Sequence, residues 1–305
     1  MLGRSATILV LAAAAACSSP SNGRKGPSRF RGTPSPISRA ADQAMVRIPS
    51  GGFVRGSTPE EREAAYNDYL NTSGRDTARR NRWFARERDA QRFILDPYSI
   101  DLTPVSNAAY AEFVRDTGHR APFMDETTWK RQGYIQKWPD EVERFVWTND
   151  EPPLARAEHP VVLVSWDDAL AYCKWRGDLV GADRRLPTAA QFEKAARGPR
   201  GRNYPWGPSF EPDKLNSAVK GPRDTTAVGT FPDGASVYGV LDAAGNVFQW
   251  TSTRWPFKSG RFTVKGSAWD DYGGLGRGAA EHGRPRAVRH AIVGFRCAGP
   301  ARRRS

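Results

Sequence analysis

Residues 185–198 (RLPTAAQFEKAARG) constrain this chain more than any other stretch. Pro187 cannot donate to a strand ladder, so the strand-like Arg185-Leu186 must end there. Thr188 and Gln191 have the spacing of a capping box. The threonine hydroxyl accepts from the N–H three residues on, and the glutamine side chain accepts from the threonine N–H. Phe192, Ala195 and Ala196 then share one helical face, and Gly198 supplies a left-handed stop. The stretch predicts a short, rigid helix with a small-residue face, around which a domain can pack.

The rest of the chain has few long periodic segments and is rich in Gly (29), Pro (23) and Trp (10) among 305 residues. That excludes a helical bundle or a doubly wound sheet and predicts a loop-rich α+β domain. Val46 and Ile48 alternate before Pro49, and Gly51-Gly52 precede Phe53, the pattern of an opening hairpin. Thr58 to Arg92 is highly charged, with Arg79, Arg80, Arg82, Arg86 and Arg88 close together. It reads as a partly helical surface insertion or a solvated face. Ser106 caps a helix carrying Tyr110, Phe113 and Val114, stopped by Gly118. Residues 121–157 are irregular and hold Trp129, Trp138 and Trp147, which serve either as a ligand platform or, more commonly, as lids packed on a core. Val161 to Val164 reads as a buried strand. Ser165 and Asp168 cap a helix with Leu170, Tyr172, Cys173 and Trp175, ending at Gly177. Asp242, Asn246 and Gln249 can present oxygens to a hard cation such as calcium; the competing reading is a turn held by side-chain hydrogen bonds.

The formal net charge of +13 suits nucleic acid, anionic lipid or an acidic partner, or simply an Arg-rich proteome. No aromatic-basic motif accompanies it, so nucleic acid is not an expected partner. Arg4, the apolar run Ala6–Ala16 and then Cys17 have the layout of a secretory signal, too short to span a bilayer. Ala14-Ala15-Ala16-Cys17 resembles a bacterial lipobox, whose cysteine becomes the lipidated first residue; the alternative is an ordinary signal cut nearby. The expected organisation is a lipoprotein signal at 1–17, a disordered tether at 18–41, a domain over 42–300 and a basic tail at 301–305. Lipidated Cys17 would attach the protein to a membrane of the cell envelope. In a Gram-negative cell, Ser18 in place of Asp after the cysteine would favour the outer membrane, on its periplasmic or surface side.

Eight blocks occur in order between Ala44 and Pro300: Ile48-Pro49-Ser50-Gly51-Gly52-Phe53, His159-Pro160-Val161, Val164-Ser165-Trp166, Arg185-Leu186-Pro187-Thr188, Ala195-Ala196-Arg197-Gly198, Tyr204-Pro205-Trp206-Gly207, Gly245-Asn246-Val247 and Gly294-Phe295-Arg296-Cys297. As an ordered set they resemble the formylglycine-generating enzyme (sulfatase-modifying factor) family. The resemblance implies a loop-rich α+β fold related to the C-type lectin fold. It also implies a disulfide between Cys173 and Cys297, and once Cys17 goes to lipid these are the two thiols left. Glutamates that the resemblance leads one to expect near Ala189, Gln191 and Gln249 are absent, which weakens the calcium reading.

Formylglycine-making members use two cysteines in the segment matching Lys265 to Glu281, because cuprous ion is soft and takes two thiolates. This segment has no cysteine, and Glu281 stands where the family has arginine after the paired alanines. No copper and no formylglycine production are therefore expected. The expected role is ligand binding or scaffolding, with Trp269, Asp270, Asp271, Tyr272, Arg277 and His282 as contacts to an unidentified protein or small molecule. The alternative is an oxidoreductase of the same fold, with Asp270, Asp271, His282 and His290 offered to iron or another harder metal.

Overall fold

A computed structural model describes residues 36–301 of the chain. The expected signal, Cys17, most of the tether and the arginines after Ala301 lie outside the described residues. The first element, α1 (Pro36–Gln43), straddles the boundary at 41/42 between the expected tether and the expected domain. Asp42 explains why it is ordered. Its buried carboxylate accepts from Arg184 Nε and Nη2 at 2.7 and 3.1 Å, a forked ion pair that seats the helix on the domain.

The expected hairpin at Gly51-Gly52 does not form. Strand β1 (Val46–Ile48) pairs antiparallel with β4 (Tyr98–Ile100), which pairs onward with β9 (Ala298–Pro300). Strand β2 (Gly51–Arg55) pairs instead with β3 (Gln91–Leu95). Ile48 is drawn to full burial with Tyr98 and Ile100, and the chain then turns into a second sheet through Gly51, whose φ of +123° suits only glycine. The charged segment between β2 and β3 carries α2 (Pro59–Ser73), with a capping box at Thr58 and Glu61, and α3 (Thr77–Arg80). It is more than a solvated face: Ala65, Tyr69, Ala78 and Phe84 bury a small core of their own with Leu275.

Helix α4 (Asn107–Thr117) forms as expected, with Ser106 as cap and Gly118 left-handed at its end. The short α5 (Glu126–Arg131) follows. Trp129 and Trp147 of the irregular segment are buried in the main core, and Trp138 lies partly buried against it. Val161 to Val164 is buried but joins no ladder. It threads through the core, Val161 N–H donating to Val105 O and Leu163 N–H to His290 O, with Leu163 at φ +58°. Helix α6 (Trp166–Val180) runs past Gly177 to a left-handed Gly181. Gly177 is a contact residue, not a stop: a Cβ there would lie 2.6 Å from Ala182 O.

Helix α7 (Ala189–Arg197) has the expected capping box, Thr188 Oγ1 accepting from Gln191 N–H at 3.1 Å and Gln191 Oε1 from Thr188 N–H at 2.9 Å. All nine of its residues are buried, including Glu193, Lys194 and Arg197. Lys194 Nζ donates to Pro49 O and Gly51 O, and Arg197 donates to Gly56 O, Gly201 O and Arg202 O. The helix thus satisfies the carbonyls of the crossover from β1 to β2. Gly198 has φ +69° but ψ −173°, an extended glycine conformation in place of the expected left-handed stop. Thr188→Ala is expected to cost about 1 kcal/mol in urea unfolding, the usual worth of such a cap.

The C-terminal third supplies a four-stranded sheet in the order β7 (His282–Pro285), β6 (Arg261–Lys265), β5 (Phe248–Arg254), β8 (Val293–Phe295). The β5–β8 pair is parallel and the others antiparallel. Cys173 on α6 and Cys297, just after β8, form a disulfide with Cα atoms 5.6 Å apart. It is buried beside the stacked rings of Tyr110 and Tyr172 and the ring of Phe295. No helix among the described residues is long and apolar enough to cross a membrane.

Candidate functional site

The loop from Gly266 to Glu281 joins β6 to β7 and faces inward. Glycine allows this. A Cβ on Gly274 would lie 2.3 Å from Ala65 O, so the loop rests directly on α2. Arg277 is 1 % exposed and donates to Glu87 Oε1 at 2.5 Å, while Glu87 Oε2 accepts from Ser57 Oγ. Arg277 is therefore a tie between loop and insertion. Trp269, also 1 % exposed, lies under the Arg144 guanidinium and near Phe145. Tyr272 packs edge-on against Tyr69, under Arg223. Arg277 and Trp269 offer no open contact surface and Tyr272 is half-buried: the loop's glycines let its middle fold down on α2, while Trp269 is covered by Arg144 and Phe145.

Asp270, Asp271 and His282 do converge. They line a cavity of 490 Å³ together with Glu281, His290, Gln136 and Arg284. Its walls include Trp83, Tyr134, Phe248 and Trp255, and Arg82, Arg86 and Arg261 also border it. Gln136 Nε2 donates to Asp270 Oδ2 at 2.6 Å. Asp271 Oδ2 accepts from Ser267 Oγ and Ala268 N–H, both at 3.1 Å. Burial, and then the charge of neighbouring Asp270, lifts the Asp271 carboxyl to about 8. Burial raises Asp270 as well. Burial and the charges of Arg284 and Lys265 push His282 down to about 3, and burial and Arg284 hold His290 well below its ordinary value. At neutral pH both imidazoles are uncharged, and the aspartate pair retains a proton.

These shifts give opposite pH slopes. His282 is neutral when folded and protonated when unfolded between about 3 and 6.5, so it removes stability as pH falls through that window. Asp271 keeps its proton when folded and loses it when unfolded between about 3.8 and 8, so it removes stability as pH rises. Thermal melts against pH are expected to show a shallower acid limb for His282→Asn and a shallower alkaline limb for Asp271→Asn.

Behind the cavity, Lys265 Nζ is fully buried, 3.1 Å from Glu193 Oε2 and 3.9 Å from Glu281 Oε2. Glu281 is thus a partner of a buried lysine, and burial raises its pKa.

Asp242, Asn246 and Gln249 are brought near one another but do not fit a calcium site. Asp242 Oδ2 accepts from Gly229 N–H, and Asn246 Oδ1 from Asn216 Nδ2 and Thr226 N–H. Gln249 Oε1 accepts from Arg296 Nε at 2.5 Å. Nη1 of the same guanidinium donates to Asp101 O and Leu102 O, and Nη2 to Leu241 O and Asp242 O. A protein cation already sits among the oxygens a metal would need, and the hydrogen-bonded turn holds. Nor do the residues suit copper: the segment 265–281 has no thiol, and Cys173 and Cys297 are joined to each other.

Sequence reasoning missed Gln136, Tyr134, Arg284 and Trp255. The tryptophans of residues 121–157 flagged the right segment, but the cavity takes their polar neighbours.

The model of the sulfatase-modifying factor enzyme 1-like domain matches residues 31–301. The chain is 30 % identical to the inactive C-alpha-formylglycine-generating enzyme 2 of Mus musculus, over 88 % of this chain and 89 % of that one. It is also 30 % identical to the formylglycine-generating enzyme of Bos taurus, over 73 % of this chain and 60 % of that one. The structure of PvdO from Pseudomonas aeruginosa shares the fold, with a TM-score of 0.63 at 20 % identity, over 84 % of this chain and 94 % of that one.

Proposed function

The chain belongs to the sulfatase-modifying factor enzyme 1-like domain family, and from that premise we propose that it is a binding member, holding a ligand in the cavity beside β7 while anchored to the cell envelope through lipidated Cys17. The observation that carries the reading is the exchange of donors. Where formylglycine-making relatives resemble one another in a thiol pair, this chain turns two carboxylates into a walled cavity. Carboxylates are hard donors and do not hold cuprous ion, so the scaffold is kept without the redox centre. The likeness to an enzyme named inactive supports the same reading. The expected kinship with the C-type lectin fold, the outer-membrane placement and the scaffolding role are parts of this proposal.

The alternative, an oxidoreductase using iron, has His282 and His290 in its favour, both neutral and lining one cavity with Asp270 and Asp271. Against it, no three His, Cys, Asp or Glu among the described residues come together as a metal-holding group. Elemental analysis of the full chain separates the two. A metal-free protein that is stabilised against heat by members of a small-molecule library supports the binder. Stoichiometric iron contradicts it. For the anchor, mass spectrometry of the N-terminal peptide after expression in a Gram-negative host is expected to find diacylglycerol on Cys17; a free or missing Cys17 contradicts it.

A further inference from the structure

Residues that line the cavity carry buried polar atoms that the protein itself leaves unpaired. Gln136 is 7 % exposed, and its Oε1 accepts no hydrogen bond, although its Nε2 is spent on Asp270. Asp270 Oδ1 is buried without a partner. Both atoms are acceptors. Glu281 is different: its Oε1 has no hydrogen bond but is ion-paired with Arg88 Nε at 3.8 Å, and its Oε2 faces Lys265, so its charge is already met. His282 Nε2 is also unpaired, and Arg284 Nε is an unpaired donor. Buried groups of this kind cost free energy until something meets them. Their residues come from two stretches distant in the chain, Gln136 and the loop and strand over 270–284, and line one cavity, which points to a ligand and not to a local packing fault.

What meets them must satisfy both signs. An ammonium or guanidinium ligand would suit Asp270 and Gln136 but would sit among Arg82, Arg86, Arg261 and Arg284. A carboxylate or phosphate ligand would suit the arginines but would face three acidic side chains. A hydroxyl group both donates and accepts, so an uncharged ligand bearing several hydroxyls can pair with each set at no electrostatic cost. The walls fit the same class. Trp255 borders the cavity with one face of its indole covered by Gly283, and Trp83 and Tyr134 also border it. Such flat apolar faces pack against the C–H face of a ring whose hydroxyls point outward.

We propose that the cavity binds a neutral, hydroxyl-rich ring, a saccharide unit, between the aromatic walls and the unpaired groups of Gln136, Asp270, His282 and Arg284. This rests on the binding reading above and names the ligand class for it. The unit can be a free sugar or the end residue of a glycan. Ile135 borders the cavity with 90 % of its surface exposed, marking an open side over which a longer chain can continue.

The test uses the full chain on an array of neutral glycans, followed by calorimetry and tryptophan fluorescence. The soluble probes are glucose, N-acetylglucosamine and β-1,4-linked N-acetylglucosamine oligomers. n-Butylammonium, succinate and a neutral blocked tripeptide serve as comparison ligands. One-to-one saturable binding of a neutral sugar is expected, weakened at least tenfold by Trp255→Ala and by Gln136→Leu. An unrelated surface change, Lys258→Ala, controls for handling, and circular dichroism checks that each variant is folded. If Trp255→Ala does not fold, Gln136→Leu carries the test alone. Affinity that rises with oligomer length assigns a glycan end; affinity that stays flat assigns a free sugar. Saturable binding of butylammonium, succinate or the tripeptide, with none for any glycan, overturns the saccharide assignment and leaves a binding cavity. No binding of any probe or glycan overturns both.

Discussion

Arg296→Ala is expected to cost about 5 kcal/mol in chemical denaturation, or to abolish soluble expression: five acceptors lose a donor, and Gln249 Oε1, Asp101 O and Leu241 O, which unlike Leu102 O and Asp242 O have no second donor among the described residues, lose about 1–3 kcal/mol each before water re-enters. The guanidinium is fully buried and donates to Gln249 Oε1 and to the carbonyls of Asp101, Leu102, Leu241 and Asp242. Those carbonyls belong to two loops far apart in the chain, so the side chain pins the segment after β4 to the turn before β5. Burial lowers its pKa to about 10, and the charge is still retained at neutral pH. The loss is comparable with the whole stability of an ordinary domain, about 5–15 kcal/mol. Arg296→Lys is the informative companion. It keeps the charge but has three donors on one nitrogen, which cannot reach both pairs of carbonyls. It is expected to fold and to remain clearly destabilised. A lysine variant as stable as the parent would show that charge alone matters, and an alanine variant within about 1 kcal/mol of the parent would remove Arg296 from this role.

The second large effect concerns the disulfide. Cys173 and Cys297 are 124 residues apart in sequence. Closing a loop of that length stabilises the folded state by about 4–5 kcal/mol in the chain-entropy model. The double variant Cys173→Ala/Cys297→Ala is expected to unfold at correspondingly lower urea, with an additional small loss from unfilled volume at two fully buried sites. The bond joins α6 to the chain directly after β8, and Cys297 N–H donates to Asp101 Oδ2 while Asp101 Oδ1 accepts from buried Arg176. The covalent tie and the ion pair therefore brace the same junction. Losing the first is expected to sharpen the effect of Arg176→Met, and a double-mutant cycle on the two measures this coupling. A difference below about 1 kcal/mol between reduced-type and native protein contradicts the role assigned to the bond.

How much of this was legible in the sequence follows the range of the interactions involved. The caps at Ser106, Ser165 and Thr188 are local hydrogen bonds over three residues, and each formed as read. The burial of Phe192, Ala195 and Ala196 was legible for the same reason: it follows helical period. The partner of β1 was not. Pro49 and Gly51-Gly52 signal a change of direction, but only the burial of Ile48 against Tyr98 and Ile100 decides which strand it meets. Gly177 looked like a helix stop because glycine serves both as a stop and as a site of close approach, and the sequence does not show Ala182 crossing it. The same limit applied at the site. Asp270, Asp271 and His282 were identifiable by residue type. That Trp269 and Arg277 point into the protein, and that Gln136 joins the cavity from 134 residues away, depends on how the glycine-rich loop lies on α2.

The central claim is that this chain keeps the family scaffold while its cavity is lined by carboxylates and imidazoles in place of a soft sulfur pair. The most direct measurement gives the purified full chain, with its disulfide intact, one equivalent of cuprous ion under a competing chelator, then oxygen and an excess of a cysteine-containing peptide, whose spare thiols supply the two electrons that reduce the second oxygen atom to water. The chelator is expected to keep the copper, and the peptide is expected to show no aldehyde by mass spectrometry. One copper held per chain, or peptide converted to formylglycine over several turnovers, would contradict the account.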